Sequence, residues 1–372
     1  MTKSQSKKAK GEQRKANSEQ RKAKSEQRKA NSEKRKQIIM KITPKYVFTG
    51  LFIVLVCGTC IYAVREVRNQ DRDYRSQFER NYRIYSPEVP VKMDFAGEDV
   101  PLDLFYIRES LDREIMASTF MHSSTITMFK RACRWFPVIE PILKKNGIPD
   151  DFKYLALAES NLGNVVSSSG AEGFWQFMKG TGIKYGLEVT EEVDERYNLE
   201  KATEAACMYF KTGFREYGTW TLTAASYNRG LDGVGKAVEN QHTSDYYNLF
   251  LVDETARYIF RILAIKQVYN HPTQYGFYLR QSDFYPPLST YNLTVDSTIT
   301  DLPGFAQKLK ISYRILKEFN PWLRRYTLTN KTGKKYILTL PKEGSLRQEI
   351  LNKNIPASET FFHDTLKIYL AN

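Results

Sequence analysis

The chain has 372 residues, room for one sizeable domain and a smaller companion, and its 41% hydrophobic and 13% aromatic content suits a packed core. A formal charge of +14 would suit a nucleic-acid binder, but 16 of the 56 Lys and Arg fall within residues 1–45, against four acids. The remainder holds 40 basic and 38 acidic side chains, so the folded part is nearly neutral, which argues against a surface that tracks phosphates and implies no nucleic-acid partner.

Residues 11–36 repeat with a period of seven: GEQRKAN, SEQRKAK, SEQRKAN, SEKRKQ. Only Ala16, Ala23 and Ala30 recur as apolar positions, so a coiled-coil seam is missing and residues 1–45 read as a solvated, basic, low-complexity arm. Residues 46–64, YVFTGLFIVLVCGTCIYAV, are 19 residues without a charge. As a helix they reach about 28 Å, close to the hydrocarbon thickness of a bilayer. The basic residues on the amino side outweigh Arg65 and Arg68 on the other, which predicts an uncleaved anchor with its N-terminus in the cytoplasm. Ile61-Tyr62-Ala63 is a poor signal-peptidase site, and Val56 and Thr59 are wrong for a lipoprotein signal at Cys57 or Cys60.

Residues 65–100 are charged and Tyr-rich and read as a stalk or linker. Residues 101–285 form the main domain, where the patterning is mostly helical, with helices predicted over 129–146, 150–162, 199–218 and 253–269. Gly147 and Gly218 stand where two of them would stop. Residues 290–345 differ: TVDSTIT and KKYILTLP read as short strands around a helical middle, and 346–372 as a tail. Cys133 and Cys207 suit either one disulfide or two buried thiols. The four histidines are far apart, and without HExxH or a paired CxxC the sequence supports no metal site and implies no cofactor.

One carboxylate stands out. In Tyr154-Leu-Ala-Leu-Ala-Glu159-Ser-Asn-Leu162, helical spacing puts Glu159 on the same stripe as Leu155, Ala158 and Leu162. The segment alone allows two readings: a carboxyl in a cleft with a raised pKa, fit to be a general acid, or an ordinary Glu reaching water from the edge of the face. SSSGAEGFWQFMKGTGIKYGL (167–187) then mixes glycines, which permit close backbone approach, with Phe174, Trp175 and Phe177 and the polar Gln176; such aromatics offer faces for sugar rings. In TLTAASYNRG (221–230), Tyr227 and Asn228 end an apolar run, and an Asn side chain can serve an acetamido group as donor and acceptor at once.

Glu159-Ser160, then Gly173-Phe-Trp-Gln176, then Ala225-Ser-Tyr227-Asn228 resemble, in this order, the catalytic domain of the lytic murein transglycosylases, which shares its fold with goose-type lysozyme. The resemblance extends to Asp194-Glu-Arg196, the helix around Ala205-Ala206, and Glu254-Thr-Ala-Arg-Tyr258, the last similar to the membrane-bound D-type enzymes. It covers roughly 125–275, and the module at 290–345 resembles a divergent LysM, chiefly through Asn320-Pro321 and the closing strand. The resemblance implies a mainly α, lysozyme-like catalytic domain with an N-terminal transmembrane helix and a small α+β module. It implies peptidoglycan glycan strands as substrate. Glu159 would be the single catalytic acid/base, with Ser160, Gln176, Tyr227, Asn228, Glu254 and Tyr258 as binding residues, Ser160 also orienting the carboxyl. The implied place is the bacterial inner membrane, with the catalytic domain on the cell-wall side. Lys179-Gly180, Arg229 and Leu231 depart from the family pattern, which touches groove contacts but not the acid. A hydrolysing muramidase on the same fold and an inactive wall-binding protein are the competing readings; for the module they are a glycan binder and a small packing domain.

Overall fold

The computed structural model describes residues 3–40, 44–81 and 84–347, in two compact units, 1–85 and 86–372. The expected tail 346–372 lies, beyond residue 347, outside the described residues.

In the first unit the repeat arm is one continuous helix, α1 (Lys3–Met40). Ala, Glu, Gln, Lys and Arg are all strong helix formers, which explains the helix. From residue 15 to 37 every side chain is exposed, as a helix with no apolar seam must be. A second helix, α2 (Pro44–Asn81), contains the apolar run and continues through the first part of the expected stalk. Among the described residues this is the one helix long and apolar enough to cross a membrane, over Val47–Glu66.

The second unit begins earlier than the expected boundary at 101. Strands β1 (Asp94–Phe95) and β2 (Glu98–Asp99) form a small antiparallel hairpin. Phe95 is fully buried against Phe152, with ring centroids 5.4 Å apart. A short stretch with one strongly apolar residue carries no visible stripe, so the sequence pattern did not separate it from a linker. The helices follow: α3 (Phe105–Phe120), α4 (His122–Lys145), α5 (Phe152–Ser160), the short α6 (Lys179–Lys184), α7 (Leu199–Tyr217), α8 (Trp220–Arg229), α9 (Leu231–Gln241) and α10 (Asp253–Asn270). Helix α10 packs on α3, α5 and α8, and α7 lies against α4 and α8. Buried Ala202, Ala205, Ala206, Ala224 and Ala225 bring α7 and α8 close, and Gly218 in the left-handed region closes α7 where the sequence placed its stop. Glu98 caps α8, accepting from Trp220 N at 2.6 Å, Thr221 N at 2.9 Å and Thr221 Oγ1 at 2.6 Å. Cys133 and Cys207 are free thiols.

The C-terminal module has the order β3 (Thr290–Val295), α11 (Leu302–Lys308), α12 (Tyr313–Phe319) and β4 (Tyr336–Pro341), with β3 and β4 antiparallel and Thr290 opposite Pro341. The first strand lies earlier than the expected TVDSTIT, because Asp296 and Ser297 turn the chain out of the ladder after Val295. Leu302, Leu316, Leu328, Leu338 and Trp322 fill its core, Trp322 stacking on Tyr336 at 5.8 Å. Asn320 is buried and holds α12 to β4: its Nδ2 donates to Leu316 O and Thr339 O, and its Oδ1 accepts from Thr339 N.

Candidate active site

Helix α5 is shorter than the sequence suggested, because Asn161 and Leu162 both take left-handed backbone conformations. Leu162 is buried all the same, but from the turn and not from the helical stripe. Glu159 thus sits in the last turn of a helix whose other face is wholly core, next to a sharp reversal. It is half-buried. Burial dominates its chemistry and pushes the carboxyl up to about 7, against an ordinary value of 4.5. The hydrogen bond from Tyr258 and the charge of Arg261 pull the other way, and Glu254 adds to the rise. A carboxyl poised near neutrality can give up a proton and take one back, which is what one group serving as both acid and base requires.

The expected site residues converge, although several do other work than expected. Tyr258, anticipated beside the sugar, is buried on α10 and donates its hydroxyl to Glu159 Oε1. Ser160 was expected to orient the carboxyl; its hydroxyl instead lies 2.7 Å from Phe174 O and accepts from Gly163 N at 3.3 Å. It therefore ties the end of α5 to the Gly-Phe-Trp-Gln turn. Gln176 has φ +47°, and its Nε2 donates to Gly173 O at 2.8 Å and Val165 O at 3.0 Å, closing its own loop. Trp175 is fully buried and donates from Nε1 to Thr203 Oγ1 at 2.9 Å, so it is core and not a sugar platform. Tyr227 reaches across from α8 and donates to Trp175 O at 2.7 Å. Its hydroxyl is held well above the usual tyrosine range, first by burial and then by the neighbouring Glu159 charge. Asn228 accepts from Thr255 Oγ1 at 2.9 Å through Oδ1, linking α8 to the first turn of α10, where Glu254 stands exposed.

The turn has one steric requirement that only glycine meets. Gly173 has φ +84°, and a Cβ there would lie 2.0 Å from Arg196 O. Residues 170–177 therefore pack directly on the backbone of 194–197. Arg196 is buried and binds Asp194 through two bonds of 2.9 and 2.6 Å, Glu172 at 3.0 Å and Phe177 O at 3.2 Å.

Residues 136–250 match the family model of the transglycosylase SLT domain. The chain carries a transglycosylase SLT domain. Residues 291–344 match the soluble lytic transglycosylase C-terminal LysM-like domain, so both resemblances read from the motifs are borne out. The membrane-bound lytic murein transglycosylases D of Escherichia coli K12 and of E. coli O6:H1 (strain CFT073) are each 28% identical to the chain over 276 residues. The alignment covers 72% of this chain and 59% of theirs, so the chain spans about three-fifths of the length of these curated relatives.

Three residues around the SLT site escaped the sequence reading. Arg261 follows Tyr258 by one helical turn on α10, and that spacing was a usable signal. Glu114, buried on α3, binds Arg257 at 2.8 Å and lies 4.0 Å from Arg261; nothing in its own segment marked it. Thr255 was visible only as part of a motif whose Glu and Tyr drew attention.

Proposed function

We propose that the protein is a peptidoglycan lytic transglycosylase and that Glu159 is its single acid/base. The observation that carries this is the setting of Glu159: a half-buried carboxyl held up near 7 and bonded by Tyr258, on a helix end tied through Ser160 to the turn bearing Gln176. The matching SLT domain and the lytic transglycosylase relatives support the same reading.

Protonated Glu159 gives its proton to the oxygen bridging N-acetylmuramic acid and N-acetylglucosamine. That C–O bond breaks, and positive charge at the sugar carbon is shared with the substrate's own acetamido group. Ionised Glu159 then accepts the proton of the muramic C6 hydroxyl, whose oxygen bonds to the same carbon. The product ends in anhydro-muramic acid and no water is consumed. Intramolecular attack carries a large effective concentration, so the protein need supply no second nucleophile. Tyr258 stabilises the carboxylate in the ionised half of the cycle. With its amide nitrogen committed to the loop, Gln176 meets the sugar through its carboxamide oxygen; Asn228, with Oδ1 on Thr255, meets it through Nδ2. Glu254 borders the site from α10.

We further assign the chain to the bacterial inner membrane through Val47–Glu66, with the N-terminal arm cytoplasmic and the residues after the span facing the wall; the support is the apolar helix and its charge asymmetry.

The test uses the full chain in detergent on purified sacculi, with products examined by mass spectrometry. The expected ends are anhydro-muramic, and Glu159→Gln lowers the rate by several orders of magnitude on the scale seen for lost proton-transfer groups (roughly 10²–10⁴ or more). Reducing ends would make the enzyme a hydrolase, and undiminished cleavage by the variant would overturn the role of Glu159.

A further inference from the structure

The LysM-like module shares its core with the catalytic domain. Val193 and Tyr197, from the segment between α6 and α7, are buried among the module's own Leu, Trp and Tyr side chains. The contact is built from backbone as well. Asp194 N donates to Trp322 O at 2.9 Å and Arg324 N to Glu192 O at 2.7 Å, and Val193 pairs with Leu323 as an antiparallel bridge. The Glu192 carboxylate accepts from Thr327 Oγ1 at 2.5 Å, Thr329 N at 2.8 Å and Thr329 Oγ1 at 3.2 Å. The Arg324 guanidinium lies 4.1 Å from the Tyr197 ring centroid. On the far flank Tyr336 Oη and Lys334 Nζ both bond Glu188. A module that merely carried glycan to the enzyme would need a mobile tether and a separable, polar interface. An apolar plug in its core, strand-like backbone pairing and a saturated carboxylate describe a fixed joint instead.

The gripped segment is the one that supports the catalytic turn. Arg196 lies between Val193 and Tyr197; Asp194 fixes its guanidinium, which in turn holds Glu172 and Phe177 O. Gly173 rests on Arg196 O with no space for a Cβ. Gln176, Trp175 O (which receives Tyr227) and Phe174 O (which receives Ser160) all belong to that turn. A continuous set of packed and hydrogen-bonded groups therefore runs from the module's core to the residue beside Glu159.

We propose that the LysM-like module is a brace for the catalytic site: by gripping residues 188–197 it fixes Arg196, a positioning residue, and through it the turn at 172–177 that carries Gln176. The catalytic consequence rests on Glu159 being the acid; the mechanical claim does not.

The test compares wild type with Val193→Asp, which puts a charge into the joint's apolar plug, and Glu192→Ala, which removes three hydrogen bonds without touching either core. Both are made in the full chain in detergent and measured in two ways. By hydrogen exchange, the amides of Glu172, Gly173 and Gln176 should open at least about tenfold faster, while those of α5 and α8 stay unchanged, as expected for local release. With soluble glycan oligomers too short to need wall anchoring, kcat should fall about ten- to a hundredfold, the scale of an ångström of misplacement, with KM nearly constant. Glu192→Gln, which keeps an acceptor, should recover most of the loss. Should Val193→Asp fail to fold, Glu192→Ala decides alone. Unchanged exchange at 172–177, or a change in KM or sacculus binding with kcat intact, overturns the brace. A wild-type protein that cleaves nothing would sink the functional reading, and the exchange data would still decide the joint.

Discussion

Replacing Glu159 by Gln removes a titrating group whose environment works against its charge, so the pH dependence of stability should change along with activity. The carboxyl stands near 4.5 when unfolded and near 7 when folded. Below about pH 4.5 it is protonated in both states and contributes no difference. Between 4.5 and 7 the unfolded chain releases the proton while the folded chain keeps it, so stability falls as pH rises, and above 7 the cost is complete. Two and a half units at about 1.4 kcal/mol each amount to about 3.5 kcal/mol, an upper figure because the side chain retains some solvent access. Glu159→Gln keeps the shape and an acceptor for Tyr258 but never ionises. The variant should match wild type near pH 4 and exceed it by up to about 3.5 kcal/mol at pH 8. Urea unfolding followed by tryptophan fluorescence is a suitable assay, because Trp135, Trp175, Trp220 and Trp322 all lie in the unit that contains the site. A difference between variant and wild type that does not vary with pH would refute the argument, as would a variant less stable at pH 8 than at pH 4 relative to wild type.

Tyr258→Phe removes the bond that favours the ionised carboxyl, so the pKa of Glu159 climbs further; the alkaline limb of the kcat profile should move up by about one pH unit, the equivalent of a charge-assisted hydrogen bond. Gly173→Ala forces a Cβ onto Arg196 O in a left-handed backbone, which should cost roughly 3 kcal/mol or more and lower Tm by about 10 °C in a scan of the full chain. Asn320→Ala removes the side-chain partners of Thr339 N and Thr339 O in the module, at about 2–3 kcal/mol; exchange of the β4 amides should report it while α5 amides stay protected.

The helical character of the catalytic domain was legible because α4 and α7 carry long amphipathic patterns with their stops, Gly147 and Gly218, in the sequence. Glu159 was legible as a charge on an apolar stripe. The partners were less so, because ordered motifs name residues without aiming them. The bond to the acid expected of Ser160 comes from Tyr258, while the serine holds the Gly-Phe-Trp-Gln turn. Trp175, which looked like a sugar platform, is interior, and an aromatic's exposure is not written in its local sequence. The stalk boundary failed for another reason. Helix α2 runs to Asn81 and the second unit starts near residue 86, because single residues such as Phe95 and Glu98 find distant partners that no local window contains.

That hairpin governs how the chain can be trimmed. A soluble form starting at residue 101, where the charged stretch ends, would lose the ring filling the space beside Phe152 and the carboxylate satisfying three donors at the head of α8. It would also lose Ala96, whose N–H meets Asp151 at 2.7 Å, directly before the helix that delivers Glu159. Weak or absent turnover from such a fragment would report a damaged foundation and not an inactive enzyme, whereas a start at 86 keeps the foundation whole.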